Sequence, residues 1–435
     1  MADEIILISI SGRDKPGLMA ELMELIVEAD ANVLDMGQAV IHDELALGIL
    51  VQVPELGTLT DDITAQCHKV GSALRITLVE NDNYELLSAG FSQSPLILTV
   101  LSQGRGGEPL KAVSNLTRRY DINIDTVRRL TKPQPKSQPK SQPKSQPKSQ
   151  PKSQLEEDSE VAPRLCLEMR LSGSLQNSAA FQAELLGIAD DIGFDFSVQR
   201  DTVFRRNRRL VAFDMDSTLI TEEVMDELAK RHGVGEQVIA ITEDAMAGRI
   251  DFKESFRRRA MLLKGMPASV LHEVAEAVVL NNGADKLIRA LKHFGYRVAL
   301  LSGGFQYVGE YLSHSLGIDY VYANELRVVD GKMTGEVVGD IVDAEGKATL
   351  LKDIARREGI MLEQTIAVGD GANDLPMLSQ AGLGVAYHAK SIVKESAQHA
   401  ISNFGLDAIL YLIGFSDLDV EQALGASVQK GPKSL

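Results

Sequence analysis

Cysteine is scarce in this 435-residue chain: only Cys67 and Cys166 occur, far apart in sequence. His68 adjoins the first, but one Cys-His pair without further ligands suggests neither a zinc site nor a disulfide framework, and a reducing cytoplasm fits. The eight histidines are scattered singly and suggest no metal cage. No apolar run approaches the roughly eighteen residues of a membrane span. The start, MADEIILISIS, lacks the basic leader and longer apolar stretch of a signal peptide and reads as a strand. Positive charge is in deficit, with 45 Lys and Arg against 61 Asp and Glu, a net charge of −16. Six of the lysines lie in the acid-free stretch 132–154, and without them the balance is −22. A body that acidic repels phosphate backbones and anionic lipid, so neither nucleic acid nor a membrane is expected as a partner.

The length allows about two to four domains. Residues 4–11 form a β-branched run, followed by the turn Gly12-Arg13-Asp14-Lys15-Pro16-Gly17 and a helix with Leu18, Leu22, Leu25 and Ile26 on one stripe. Strands near 33–41 and 45–53, a helix near 60–71 and a strand at 74–79 complete a βαββαβ unit over 1–82. A second such unit is expected over 93–204, with strands at 96–101, 122–130, 164–171 and 194–203 and helices at 109–119 and 178–192. Between its second and third strands lie five copies of Pro-Lys-Ser-Gln, from 135–138 to 151–154. These carry no apolar side chain except the proline rings, and so 132–161 is expected to be a disordered, solvated loop. Loop closure grows only logarithmically with length, so an insertion there costs little.

From about 209 to 425 the pattern becomes strand, helical stretch, strand, helix, strand, as in a parallel α/β sheet. Strands are expected at 210–213, 297–301, 365–369 and 383–386, with a helical insert near 222–282. Within it Leu271, Val274, Ala275 and Val278 form a stripe behind Ser269 as helix cap. The run Arg205-Arg206-Asn207-Arg208-Arg209 is expected to be a solvated connector, and Asp330-Gly331 a hairpin turn beside the site.

Four segments carry chemistry. Asp214-Met215-Asp216 ends an apolar strand with two carboxylates spaced by one residue, so both can address one ligand. One, held ionised by a cation, can attack as nucleophile while the other moves protons. Gly369-Asp370-Gly371-Ala372-Asn373-Asp374 supplies hard oxygens and tight turns suited to a small cation such as Mg²⁺. Ser302-Gly303-Gly304 offers a hydroxyl and backbone N–H groups to phosphate oxygens. Lys347, opening a helix, can neutralise charge that grows in phosphoryl transfer.

Together these segments resemble the four motifs of the haloacid dehalogenase superfamily, in the right order over about 209–425. The Thr221-Glu222-Glu223 segment and Phe252-x6-Arg259 make the resemblance more specific, to its phosphoserine phosphatases. The resemblance implies a Rossmann-like fold with a helical cap, hydrolysis of O-phosphoserine to serine and phosphate at the end of serine synthesis, and Mg²⁺ as cofactor. It implies Asp214 as nucleophile and Asp216 as acid and then base. The metal would be held by Asp214, the main-chain carbonyl of Asp216 and Asp370. Ser302, Gly303, Lys347 and Asn373 would hold the phosphate, with Asp374 behind the metal or Lys347. In the cap, Glu223 would read the ammonium and Arg259 the carboxylate, with Met246 and Phe252 as walls. One acid and one Arg fork match a zwitterion, yet Glu222 could replace Glu223, and Arg257 and Arg258 adjoin Arg259.

The N-terminal ferredoxin-like units resemble ACT domains, with Asp14-Lys15-Pro16-Gly17-Leu18 similar to their strand-to-helix signature. This implies an amino-acid effector, serine, at a loop containing Asp14 and Gly17, or simply a homodimer. Gly104-Arg105-Gly106-Gly107-Glu108-Pro109 in the second unit lacks the Pro-Gly order. Deleting 133–154 is expected to leave phosphoserine turnover nearly unchanged, and a large fall in kcat would show that the tract serves the active site.

Overall fold

In a computed structural model, the described residues are 4–54, 57–80, 95–104, 106–132, 164–173, 175, 177–397 and 399–429. The Pro-Lys-Ser-Gln loop lies outside them. The chain forms two compact units, Met1–Ser94 and Pro95–Leu435.

In the first unit, strands β1 (Glu4–Arg13), β2 (Asn32–Ile41), β3 (Glu44–Val53) and β4 (Ala73–Val79) form an antiparallel sheet in the order β2-β3-β1-β4. Alternate residues of β1, Ile6, Ile8 and Ile10, face a core shared with Leu18, Leu22 and Ile26 of one helix and Leu59 and Ile63 of the other. Gly17 caps the first helix at φ 97°, a left-handed conformation that favours glycine; an added Cβ there would meet nothing within 4 Å. The preceding loop is tied at Asp14, whose N–H donates to the Asp43 carbonyl at 2.7 Å.

The second unit begins with a βαββαβ segment containing β5 (Leu96–Gln103), β6 (Asn123–Arg129), β7 (Arg164–Ser172) and β8 (Phe194–Arg200). Then come β9 (Leu210–Phe213), β10 (Arg297–Phe305), the hairpin β11 (Tyr320–Val329) and β12 (Lys332–Val338), β13 (Thr365–Gly369), β14 (Leu383–Tyr387) and β15 (His399–Ile401). All join one sheet in the order β12-β11-β10-β9-β13-β14-β15-β8-β5-β7-β6. The strands β11, β10, β9, β13, β14 and β15 run parallel, whereas β12 is antiparallel to β11 and β8 meets β15 antiparallel at Phe196 and Ala400.

That seam is polar as well as strand-paired. Asp195 accepts the N–H groups of Ser402 and Asn403, both at 2.9 Å. Ser197 Oγ lies 3.0 Å from Nδ1 of His399, and Gln199 donates to Ser197 Oγ and to the Leu412 carbonyl. The arginine run is a solvated connector only in part, at Arg206 and Arg209, which are exposed. Arg205 and Arg208 are only 7% and 4% exposed, because the segment runs through the seam where guanidiniums find acceptors. Arg208 donates to Gln199 Oε1 and the Gly382 carbonyl, and Arg205 to Glu168.

Four helices, Val224–His232, Gly235–Met246, Phe252–Leu262 and Ser269–Ala277, form a cap between β9 and β10. Ser269 is the first helical residue, and Ala268 stands at the cap position without a side-chain bond, so the expected Ser269 cap is not made. The two crossings into the cap pair at Ile220 and Leu280. The β11–β12 hairpin turns at Asp330 and Gly331, both at positive φ, as a two-residue hairpin loop requires. It is bonded to the cap: Ala268 N donates to Gly331 O, Gly265 N to Met333 O, and Met333 N to Met266 O. Gly335 lets the ribbon approach closely, since a Cβ there would lie 2.9 Å from Met261 Cα.

Burial, followed by the charge of Arg208, pulls the His399 imidazole down to about 3. The unfolded histidine titrates at about 6.5. Between these values the unfolded chain carries the extra proton, so this group contributes less stability as pH falls below about 6.5, by up to about 1.4 kcal/mol per pH unit. The stability gap between wild type and His399→Gln, measured by urea unfolding, should therefore narrow from pH 7 to pH 4. A pH-independent gap would contradict a buried neutral imidazole.

Candidate active site

Strands β10, β9 and β13 lie side by side, and their C-terminal ends carry three of the four segments, at the edge where open α/β sheets bind ligands. The four residues of β9 are all buried, so the chain passes straight from core into Asp214. Met215 N–H donates to Asp214 Oδ1 at 2.7 Å, and the next turn is made by Ser217 at φ 56°. The fourth segment enters on the helix Ala344–Arg357, capped by Asp343, which accepts from Gly346 N at 2.9 Å.

The centre of the site is Lys347. Its Nζ lies 2.8 Å from Asp214 Oδ1 and 2.7 Å from Asp374 Oδ1, with all three side chains buried. Asp374 also accepts Gly371 N–H through Oδ2. A Cβ on Gly369 would overlap its carboxyl group, so glycine is needed there. Asp370 accepts from Thr218 Oγ1 at 3.1 Å.

Asp214, Asp370 and Asp374 each present an oxygen within 4.8 Å of the others. Burial, then the neighbouring charge of Asp374, holds Asp214 well above the usual carboxylate range and pushes Asp370 up to about 6. Asp216 is pushed up to about 7 by burial and then by Glu223. Burial pulls the Lys347 ammonium down, but Asp214 and Asp374 outweigh it and hold it above the ordinary lysine value. One lysine cannot balance this many carboxylates, and their hard oxygens fit a small divalent cation.

Beside them, Ser302 is buried and its Oγ accepts from Gly304 N at 2.8 Å. Asn324 of β11 donates to the Gly303 carbonyl and accepts from Val342 N, both at 2.8 Å, which fixes this loop against the start of the lysine helix. Asn373 lies in the same turn as Asp374, its Oδ1 occupying the space a Cβ on Gly371 would take.

From the cap, Phe252 reaches to 2.9 Å from where a Cβ on Gly303 would stand and stacks on Phe256. Glu223 accepts from Ser217 Oγ at 2.7 Å, whereas Glu222 accepts from Val279 N at the cap crossing. Arg258 is paired with Glu254 and Arg257 is exposed. Arg259 is half-buried, and its Nε has no partner among the described residues. Burial lowers its pKa, countered by the charges of Asp226, Glu223 and Asp216. Met246 is not brought to this group: it ends its helix 72% exposed.

Sequence reasoning gave no role to four residues that shape the site. Ser217 and Thr218 directly follow the first segment, and their spacing from Asp214 was the available signal. Asn324 and Asn281 had none, since they act on backbone far away in sequence. Asn281 Nδ2 donates to the carbonyls of Thr218 at 2.8 Å and Ile220 at 3.1 Å, holding the loop behind the carboxylates.

Comparison with known proteins agrees with this geometry. Residues 211–379 match the haloacid dehalogenase-like hydrolases, and residues 4–77 match the ACT domain. The chain is therefore a haloacid dehalogenase-type hydrolase with an N-terminal ACT domain. It is 36% identical over 424 residues to the phosphoserine phosphatase of Mycobacterium tuberculosis, covering 96% of this chain and 95% of that one. It is also 36% identical over 429 residues to that of Streptomyces coelicolor, covering 96% and 94%. The structure resembles a haloacid dehalogenase-family hydrolase from Salmonella enterica serovar Typhi, with TM-score 0.61, 29% identity, and 74% and 99% of the two chains covered. The chain belongs to the phosphoserine phosphatase family.

A Cβ on Gly304 would overlap Asp216 Oδ2 and lie 3.1 Å from Ser302 Oγ. Gly304→Ala should therefore lower phosphatase turnover by about a hundredfold or more, the usual scale for a displaced acid–base group, with an unchanged circular dichroism spectrum. Wild-type turnover would show that the loop yields instead.

Proposed function

We propose that the protein hydrolyses O-phosphoserine to serine and phosphate, with Mg²⁺ as cofactor, as the last step of serine synthesis. The observation that carries this reading is the buried contact of Lys347 with Asp214 and Asp374 beside Asp370. Asp214, Asp370 and the main-chain carbonyl of Asp216 would hold the cation. Bound there, Mg²⁺ neutralises charge on the carboxylates and the phosphoryl oxygens.

Lys347, Ser302, Asn373 and the backbone at Gly303 orient the phosphoryl group. Both Lys347 and Met215 N–H engage Asp214 Oδ1, so Oδ2 is the attacking oxygen. Oδ2 bonds to phosphorus as the bond to the serine oxygen breaks, and Asp216 gives its proton to that oxygen. Asp216, now a carboxylate, takes a proton from water whose oxygen attacks phosphorus. The bond to Asp214 breaks, phosphate departs and the Asp214 carboxylate is restored. A carboxyl group poised near neutrality suits this donation and return.

Arg259, whose neighbour arginines are paired or exposed, is the carboxylate reader. Glu223 is the ammonium reader, because Glu222 is tied to Val279 N. Phe252 closes the site over Gly303. We assign the domains as 1–82, 93–204 and 209–425, a cytoplasmic location, a homodimer, and serine as effector at the Asp14–Gly17 loop. Among the described residues no helix is long and apolar enough to cross a membrane.

Phosphate release should be fastest with phosphoserine in a panel of phosphomonoesters, should stop on chelation and should return with Mg²⁺. Asp214→Asn should bind phosphoserine without releasing phosphate, and Arg259→Ala should lower kcat/KM by about a hundredfold or more. Faster turnover of a monoester lacking the carboxylate would exclude the substrate assignment, and serine-insensitive kinetics would exclude feedback.

A further inference from the structure

Arg205 and Arg206 of the arginine run, together with two arginines of the sheet, line a cavity of about 480 Å³ to which none of the catalytic carboxylates contributes. Its floor is the helix-free face of the βαββαβ segment. There, Arg128 of β6 stands opposite Glu168 of β7, and Arg170 follows two residues along β7. Arg205 and Arg206 of the connector form one wall with Asp201, and Tyr296 and Gly414 of the catalytic part close another.

Four guanidiniums thus meet two carboxylates. Glu168 is held by Arg205 at 2.6 Å and Arg128 at 3.1 Å, while Asp201 lies 3.4 Å from Arg206 and 4.0 Å from Arg170. Each acid is shared by two arginines, which leaves a surplus of two positive charges. Arg205 is buried, and its Nε lacks any partner among the described residues, so this charge is not simply solvated. Guanidinium forks match phosphate oxygens, and the cavity has the size of a small-ligand site. A zwitterionic amino acid fits poorly, because both acids that could hold its ammonium are already paired.

We infer that this seam cavity binds a compact phosphate dianion, either inorganic phosphate or a phosphate monoester, between the βαββαβ segment and the catalytic sheet. Arg170 and Arg206, the pair held more loosely, at 4.0 and 3.4 Å from Asp201, supply its forks, and Arg205 and Arg128, bonded to Glu168, supply fixed positive charge. Its occupant neutralises the surplus and bridges the two parts of the sheet.

The test is calorimetric titration of the full-length protein with inorganic phosphate in the absence of divalent cation, for wild type and Arg170→Ala/Arg206→Ala. The wild type should show a site that the variant loses or binds about tenfold more weakly, while turnover at low phosphate stays unchanged. Arg170→Lys/Arg206→Lys, which keeps charge but not the fork, should fall between them and serves if the alanine pair does not fold. The same titrations in an Asp214→Asn background, with phosphate or with phosphoserine, distinguish free phosphate from a monoester as occupant. Equal phosphate binding by all three proteins would overturn the inference, as would arginine-dependent binding of serine without arginine-dependent binding of phosphate.

Discussion

Everything in the catalytic half is arranged around one buried ammonium between two carboxylates. Lys347 arrives on a helix, Asp214 directly after β9 and Asp374 in the turn that follows the adjacent β13, so the contact requires β9, β13 and the Asp343-capped helix to be in register. Removing either charge type would leave the other buried and unpaired, a costly condition in a low-dielectric interior. The glycines follow from the same constraint: Gly369 makes room for Asp374, and Gly304 for Asp216. Asn324 and Asn281 complete it by holding loops that carry no regular ladder of their own.

How much of this was legible depended on how local the cause was. Leu210–Phe213 and Thr365–Gly369 are short apolar runs ended by polar residues, and both bounds could be read directly. The strand His399–Ile401 is three residues long and carries no period, so its pairing with both β14 and β8 was hidden. The grouping of Asp214, Asp370, Asp374 and Lys347 was suggested by motif order. Spacing from Asp214 and Phe252 already favoured Glu223 over Glu222, but the bond from Val279 N–H to Glu222 was hidden, because only the folded cap crossing supplies it. The arginine run misled because composition cannot report burial: Arg208 satisfies Gln199 and Gly382, partners 9 and 174 residues away.

The seam gives the second unit a continuity that its element pattern does not announce. A single Cα pairing joins β8 to β15, and a chain of side chains from Asp195 to Arg208 does the rest. Such networks fix one arrangement when every member is satisfied. Ser197, Gln199 and His399 each have partners here, although Arg208 Nε has none among the described residues, and these bonds tie the βαββαβ segment to the catalytic body.

The ribbon β11–β12 has a mechanical consequence. It is rooted in the sheet beside β10, and its far end is bonded to the cap through the main chain at Gly331 and Met333. The cap is thus moored at its two chain crossings and again at the ribbon tip. A displacement that preserves the mooring bends the ribbon, and one that leaves the ribbon straight breaks three main-chain hydrogen bonds. Cap and ribbon therefore travel together, and the stiffness of a two-stranded sheet limits how far the entrance can gape.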